Sequence, residues 1–157
     1  MNNILVLNGP NLNLLGLRET SIYGYKTLSD INNTLIQIGL QHNINIVCFQ
    51  SNNESSLIDK LHEVVYHNTI NSNIENQYSW IIINPAAYTH TSIALMDALA
   101  ATNLPFIEVH ISNIHAREQF RQHSYFSKYA KAVITGCGTY GYELALNFII
   151  NNNQENI

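Results

Sequence analysis

Short apolar runs alternate along the chain with longer segments in which apolar residues recur every three or four positions. The runs are rich in β-branched residues and have the length of buried strands. They predict five strands, at residues 4–7, 44–49, 80–83, 106–111 and 132–134. The periodic segments predict helices at residues 28–38, 57–65, 92–101 and 143–150. Strands that alternate with helices in this way are typical of a parallel sheet covered by helices on both faces.

The predicted fold class is therefore α/β, a flavodoxin-like three-layer sandwich whose five-stranded parallel sheet has the order 2-1-3-4-5. In that order, strands one, three and four are neighbours. Polar residues lie at the carboxyl end of each of them, at 8–11, 84–87 and 110–112. Because open α/β sheets bind ligands at this edge, where the strand order reverses, we expect a functional site there.

The stretch from Pro105 to Arg121 carries the most concentrated chemistry. An apolar strand is followed at once by histidines, polar side chains and two of the chain's three arginines, Arg117 and Arg121. These two lie four positions apart, so on a helix they would share one face. Guanidinium groups beside a titratable histidine suit an anionic substrate that undergoes proton transfer. The alternative interpretation is a solvated helical turn with Glu118 nearby.

Composition and charge narrow the classes of function. The length of 157 residues fits one domain, 1–157, with a polar tail from about residue 151 that we expect to fray. The net charge of −4 gives no general attraction for nucleic acid or for an anionic membrane surface, and no apolar stretch approaches spanning length. The lone cysteines Cys48 and Cys137, together with an N-terminus unlike a signal peptide, favour a cytoplasmic location.

Four motifs now stand in order along the chain: N-G-P-N-L-N-L-L-G from Asn8, R-x-x-x-x-Y-G from Arg18, N-P-A-A-Y-T-H-T-S from Asn84 and E-V-H-I-S-N-x-H-x-R-E-x-F-R from Glu108. In order and spacing they closely resemble type II 3-dehydroquinate dehydratase, over residues 4–150. The resemblance implies dehydration of 3-dehydroquinate to 3-dehydroshikimate in the shikimate pathway, by anti elimination through an enolate and without a cofactor or metal. It also implies a homo-oligomer, a dodecamer of four trimers.

The same resemblance implies roles for individual residues. Tyr23 matches the base that removes the proton next to the ketone, His110 the acid that helps the hydroxyl leave, and Arg18 the loop arginine. Asn11 matches the residue associated with enolate stabilisation, and Glu108 the acid that orients the histidine. The residues that match substrate contacts are Asn84, His90, Asp97, Ile111, Ser112 and Arg121.

Physical chemistry fits this assignment of the base. A tyrosine ordinarily titrates near ~10, and a nearby guanidinium can lower that pKa by roughly 1–3 units. Arg18 precedes Tyr23 by five residues on the same segment and can supply that charge. The family usually has proline where Thr20 stands, which bears on the stiffness of the segment.

Other functions and other kinds of catalytic site fit the sequence less well. A flavodoxin-like FMN-binding module would want hydroxyl groups and glycines after strand one, where residues 8–11 are a poor match. A phospho-receiver domain would want an aspartate at the position of Asn84. The spacing of His110, His115 and His123 matches no standard zinc pattern. A lysine imine, as in the unrelated type I enzyme, lacks a lysine in the strand-end clusters.

Overall fold

The structure, a computed structural model, describes residues 2–70 and 76–155, except for the side chains of residues 22, 23 and 153–155. Within these residues the chain forms five strands: β1 Asn2–Asn8, β2 Ile44–Gln50, β3 Tyr78–Asn84, β4 Phe106–His110 and β5 Ala132–Thr135. All neighbouring strands pair in parallel, in the order β2-β1-β3-β4-β5. The predicted fold class and strand order are therefore confirmed.

The described α-helices are α1 Thr20–Tyr23, α2 Leu28–Gln41, α3 Glu54–Ile70, α4 Ile93–Ala101 and α5 Tyr140–Glu155. The tail expected to fray from residue 151 is instead helical as far as residue 155. The reason lies in the preceding turns of α5, where the buried Leu146, Ile149 and Ile150 anchor the helix against the sheet. Residues 156 and 157 lie outside the described residues.

The helices cover both faces of the sheet. Because successive side chains of a strand point to opposite faces, each strand supplies two apolar cores. Val6 and Ile82 pack on one face among residues of α2 and α5, whereas Leu5 and Ile81 pack on the other among residues of α3 and α4. Burial on both faces explains why the strands are continuous apolar runs in the sequence rather than alternating ones.

A capping box fixes the start of α2. The Thr27 hydroxyl accepts a hydrogen bond from the backbone N–H of Asp30 (3.1 Å), and the Asp30 carboxylate accepts one from the N–H of Thr27 (2.9 Å). The hydrogen bonds from Thr27 hold the pKa of Asp30 below its ordinary value. The cap confirms Thr27 as the predicted N-cap and ends the segment that carries Arg18.

The segment between β4 and β5 corrects one prediction. Arg117 and Arg121 do not share the face of one helix, because the chain here forms two separate 3₁₀ turns, 114–116 and 119–121. Arg117 follows the first turn with extended backbone, and Glu118 precedes the second with ψ of 147°, so no continuous helix can form. The arginines instead converge on the carboxylate of Glu118, at 3.7 Å from Arg117 and 3.1 Å from Arg121.

Candidate active site

The ends of β1 and β3 are held together by a close backbone approach. The N–H of Gly9 donates a hydrogen bond to the carbonyl oxygen of Asn84 (2.8 Å). A Cβ at Gly9 would lie 2.3 Å from the carbonyl oxygen of Pro85, so a side chain cannot be accommodated there without a backbone shift. Gly9 therefore allows the polar loops that follow β1 and β3 to pack directly against each other at this edge of the sheet.

A cavity of about 410 Å³ opens at this edge of the sheet. Eight of the residues singled out from the sequence line it together: Asn11, Arg18, Asn84, His90, His110, Ile111, Ser112 and Arg121. Arg117, whose role the sequence left open, and the acidic Glu19 and Glu118 also line it. The cavity thus combines three guanidinium groups, two histidines and two carboxylates around one space.

Among the other singled-out residues, Glu108 and Asp97 do not line the cavity. Glu108 lies behind His110, buried in the protein. Asp97 lies on the exposed side of α4, outside the cavity of its own chain. The backbone of Tyr23 ends α1, but its side chain lies outside the described residues. Thr20 begins α1, the first helical position, where proline is also well tolerated.

Glu108 and His110 form a buried acid–base pair. Two positions apart on β4, their side chains lie on the same face of the sheet, and the His110 Nε2 lies 2.7 Å from the Glu108 Oε1. Burial alone would raise the pKa of Glu108, but hydrogen bonds from His110, Ser124 and Ser127 outweigh it and leave the pKa below its ordinary value. An ionised carboxylate only accepts, so Nε2 carries a proton and Nδ1 is the ring nitrogen left for another partner.

His90 has the opposite arrangement of ring protons from His110. Its Nδ1 donates to the carbonyl oxygen of His123 (2.6 Å), which leaves Nε2 as an acceptor. Burial lowers the pKa of His90, and the nearby His110, Arg121 and Arg117 lower it further, although the bond to His123 opposes them. His90 therefore stays neutral at neutral pH and can accept a hydrogen bond from a ligand hydroxyl.

The cationic side of the cavity is partly neutralised by its own carboxylates. A hydrogen bond from its own backbone, with Arg121 and Arg117 nearby, holds the pKa of Glu118 below its ordinary value. Arg121 also lies over the Phe120 ring, at 5.1 Å from its centroid, and Arg18 pairs with Glu19 at 3.4 Å. These contacts orient the arginines before any ligand arrives, so an anionic ligand would meet guanidinium groups that are already in place.

Hydrogen bonds of asparagine side chains hold the ends of β1 and β3 in place beneath the cavity. The Asn84 Nδ2 donates to the Tyr142 hydroxyl (3.0 Å), which in turn donates to the Asn8 Oδ1 (2.6 Å). The Asn84 Oδ1 accepts from the N–H of Ala86 (3.1 Å). Burial raises the pKa of Tyr142, so its hydroxyl stays neutral between the two asparagine side chains. Asn11 adopts the left-handed conformation that asparagine tolerates, with its N–H bonded to the Asn52 side chain (2.9 Å).

The sequence patterns did not single out Tyr142, Ser124 or Ser127. The available signal was Glu108 itself, a carboxylate inside an apolar strand, because a buried charge must find donors. That signal predicts that partners exist without saying where along the chain they lie.

Within the described residues, 2–70 and 76–155, no group of three His, Cys, Asp or Glu side chains comes together as a metal ion would require. No helix there has the length and apolar character needed to cross a membrane.

The doubly wound α/β fold, with a polar cavity at the switch of strand order and a buried acid–base pair behind it, defines a class of protein that binds a small polar ligand and transfers protons. Within that class, the chain belongs to the family described as dehydroquinase class II, whose model matches residues 2–150.

Individual relatives agree with this family. The chain is 58% identical over 146 residues to the catabolic 3-dehydroquinase of Talaromyces marneffei, which covers 93% of this chain and 78% of that protein. It is 56% identical over 150 residues to the 3-dehydroquinate dehydratase of Legionella pneumophila, covering 96% and 97% of the two chains. The crystal structure of type II dehydroquinase from Propionibacterium acnes superposes with a TM-score of 0.85 at 40% identity, covering 96% and 97%.

Proposed function

We propose that this protein is a hydro-lyase that dehydrates 3-dehydroquinate to 3-dehydroshikimate, as a cytoplasmic enzyme of the shikimate pathway. The observation that carries the proposal is the Glu108–His110 pair at the wall of a cavity rimmed by guanidinium groups. The names of its relatives, a catabolic 3-dehydroquinase and a 3-dehydroquinate dehydratase, point to the same reaction.

The reaction divides into two proton transfers. Tyr23, as phenolate, takes the proton next to the ketone, and the electron pair moves onto the carbonyl oxygen to give an enolate. The Asn11 amide donates to that oxygen as its charge develops. Collapse of the enolate expels the hydroxyl group, which takes a proton from His110 and leaves as water.

His110 can act as this acid only when both ring nitrogens carry protons. Nε2–H is held by Glu108, so the proton to be transferred is on Nδ1. The carboxylate stabilises the imidazolium that must exist before the transfer. The ionised Glu108 therefore orients the ring so that Nδ1 is left to face the substrate.

The remaining contacts account for the substrate's other groups. The carbonyl oxygens of Ile111 and Ser112 accept hydrogen bonds from Gly138 (3.0 Å) and Gly136 (3.2 Å), which fix the loop after β4. We assign the substrate carboxylate to the backbone N–H groups of Ile111 and Ser112. The ring hydroxyls are assigned to Asn84, His90 and Arg121.

The direct test is to add 3-dehydroquinate to the purified protein and follow the ultraviolet absorbance of the conjugated enone product. We expect a steady increase in absorbance. Folded protein that produces no enone would contradict the proposal. An FMN-binding module, the alternative function, would be revealed by a yellow protein with a flavin spectrum.

Replacing His90 or Arg121 by alanine is expected to reduce kcat/KM by about ten- to a hundredfold, because each change removes a polar or charged contact worth roughly 1.5–3 kcal/mol. Both side chains line the cavity rather than the apolar cores, so the fold should persist. The exposed His42→Ala and Lys128→Ala are the matched controls. Parent-like kinetics in His90→Ala and Arg121→Ala would remove these residues from the site.

Catalysis is expected to survive both borohydride in the presence of substrate and a chelator. The four lysines, Lys26, Lys60, Lys128 and Lys131, do not line the cavity, so no imine is expected there. Activity is measured before and after each treatment, with untreated enzyme as the control. Inactivation by borohydride only when substrate is present would indicate a lysine imine.

We propose a homo-oligomer, a dodecamer of four trimers, with 1–157 as its single catalytic domain. Asp97 matches a substrate contact but lies outside its own chain's cavity, so it can reach substrate only from another copy. Sedimentation at micromolar concentration should therefore show an assembly, and Asp97→Asn should weaken catalysis without changing the assembly. A monomer with full activity would contradict both statements.

A further inference from the structure

The segment 123–127 contacts His90 of the cavity wall and Glu108, the partner of His110. The carbonyl oxygen of His123 accepts from His90 Nδ1 (2.6 Å), and the N–H of Tyr125 donates to the carbonyl oxygen of Thr89 (3.1 Å). Phe126 is fully buried in the core on the face of α3 and α4. These contacts fix the segment on the same face of the sheet as Glu108 and His110.

Two serines of this segment complete the surroundings of Glu108. The Ser124 hydroxyl donates to Oε1 and the Ser127 hydroxyl donates to Oε2, each at 2.6 Å. The Ser124 Oγ also accepts from the backbone N–H groups of Phe126 (3.0 Å) and Ser127 (3.2 Å). Since those amides occupy its lone pairs, the hydroxyl hydrogen is directed at the carboxylate.

Glu108 itself has 0% exposure, so its charge depends on these donors. A buried carboxylate is costly unless hydrogen bonds replace the water it has lost. Ser124 and Ser127, with His110, supply three donors to its two oxygens. These three hydrogen bonds therefore fix the orientation of the Glu108 carboxylate.

We propose that Ser124 and Ser127 are positioning residues of the dehydration reaction, which act through Glu108 to hold His110 as the acid of the cavity. The inference rests on the proposed function and deepens it. Neither serine lines the cavity, so the effect must pass through the carboxylate rather than through substrate contact.

The direction of the effect follows from the charge of the pair. After the pair has given up its acidic proton it carries one negative charge, which is located on Glu108. Removing hydroxyl donors destabilises that charged state more than the proton-bearing state, wherever the proton resides. The pair then keeps its proton to higher pH. Among the described side chains, the other titratable groups that line this cavity are Arg18, Glu19, His90, Arg117, Glu118 and Arg121, and the serine changes alter none of them.

The experiment compares Ser127→Ala, Ser124→Ala and the double variant with the parent. Ser127→Ala is the cleaner change, because Ser124 also caps two backbone amides whereas the Ser127 hydroxyl contacts Glu108. Ser79→Ala, a partly buried serine on β3 outside the cavity, is the matched control. Thermal unfolding and sedimentation establish that each variant is folded and assembled.

We expect the double variant to lose kcat by about ten- to a hundredfold with KM within about threefold, and the basic limb of its kcat profile to move to higher pH. Ser127→Thr, which keeps a hydroxyl, should restore most of the rate. Parent-like kcat and an unmoved basic limb would overturn the inference, and so would lost activity with an unmoved limb, since that indicates a purely structural role.

A second measurement separates this inference from the proposed function. NMR titration of the His110 ring, in protein with isotope-labelled histidine and without substrate, reads the proton affinity of the pair directly. We expect the midpoint to lie at higher pH in Ser127→Ala than in the parent. If the parent does not dehydrate 3-dehydroquinate, the proposed function fails, whereas an unshifted midpoint in an active enzyme refutes only the role of the serines.

Discussion

Tyr23→Phe is expected to lower kcat by about 10³-fold, because it removes the phenolic oxygen that takes the proton next to the ketone. The change deletes one polar atom at the end of α1, so the fold should be unaffected. Turnover is measured by the appearance of the enone, and product binding by calorimetric titration. The exposed Tyr66→Phe on α3 is the matched control. A Tyr23→Phe enzyme within threefold of the parent would overturn the assignment of the base.

The same mechanism predicts what Arg18 does. The base works as phenolate, so the acidic limb of kcat/KM against pH reports its pKa. A guanidinium favours the phenolate, so without it a higher pH is needed to reach the same ionised fraction. Arg18→Ala should therefore move the acidic limb to higher pH, each unit corresponding to ~1.4 kcal/mol. Arg18→Lys should recover part of the shift, because an ammonium keeps the charge without the planar fork.

The control for this charge effect is Lys26→Ala. Lys26 lies on the same segment, pairs with Glu143 at 3.4 Å and does not line the cavity. Its loss should leave the acidic limb where it is. An Arg18→Ala enzyme whose limb also stays in place would show that Arg18 does not tune the base.

The sheet could be predicted from the sequence because its strands are buried on both faces. Burial of residues such as Leu5 and Val6 on opposite faces produces the continuous apolar runs, and alternation with helices leaves few possible topologies. The convergence of Asn84 and His110 at one edge then follows from the strand order. Local signals also sufficed for the cap at Thr27.

The segment between β4 and β5 could not be predicted in the same way. Its conformation depends on distant contacts, such as the N–H of Tyr125 on the carbonyl of Thr89 and the burial of Phe126. Ser124 and Ser127 reach Glu108 across 16 and 19 residues, a separation that no periodicity encodes. The four-residue spacing of Arg117 and Arg121 predicted one helical face for the same reason, since spacing alone cannot show that the helix is interrupted.

Glu108 is expected to make the stability of the fold depend on pH in the acidic range. Its folded pKa is lowered, so its contribution to stability is present above the ordinary pKa of a glutamate, about 4.3, and is lost as the pH falls through the lower folded value. Glu108→Gln removes that contribution and should flatten the pH dependence of unfolding in this acidic range. Chemical denaturation at several pH values measures it, and a slope equal to that of the parent would contradict the assignment.

His110→Gln is expected to reduce kcat by roughly 10²–10⁴-fold, because the leaving hydroxyl loses its proton donor. Glutamine is the informative replacement, since its amide nitrogen can take the place of Nε2 and still donate to Glu108, whereas alanine would leave a buried carboxylate without one of its three donors. The folded enzyme should still bind product, because the residues assigned to substrate contacts remain in place.

The pH profile distinguishes loss of the acid from loss of geometry. In the parent, we expect activity to fall at high pH as the Glu108–His110 pair gives up its proton. The glutamine amide does not titrate, so the residual rate of His110→Gln should have no basic limb from this pair, while the acidic limb from Tyr23 stays in place. A residual rate that keeps the parent's basic limb would assign that limb to another group and remove His110 from the role of acid.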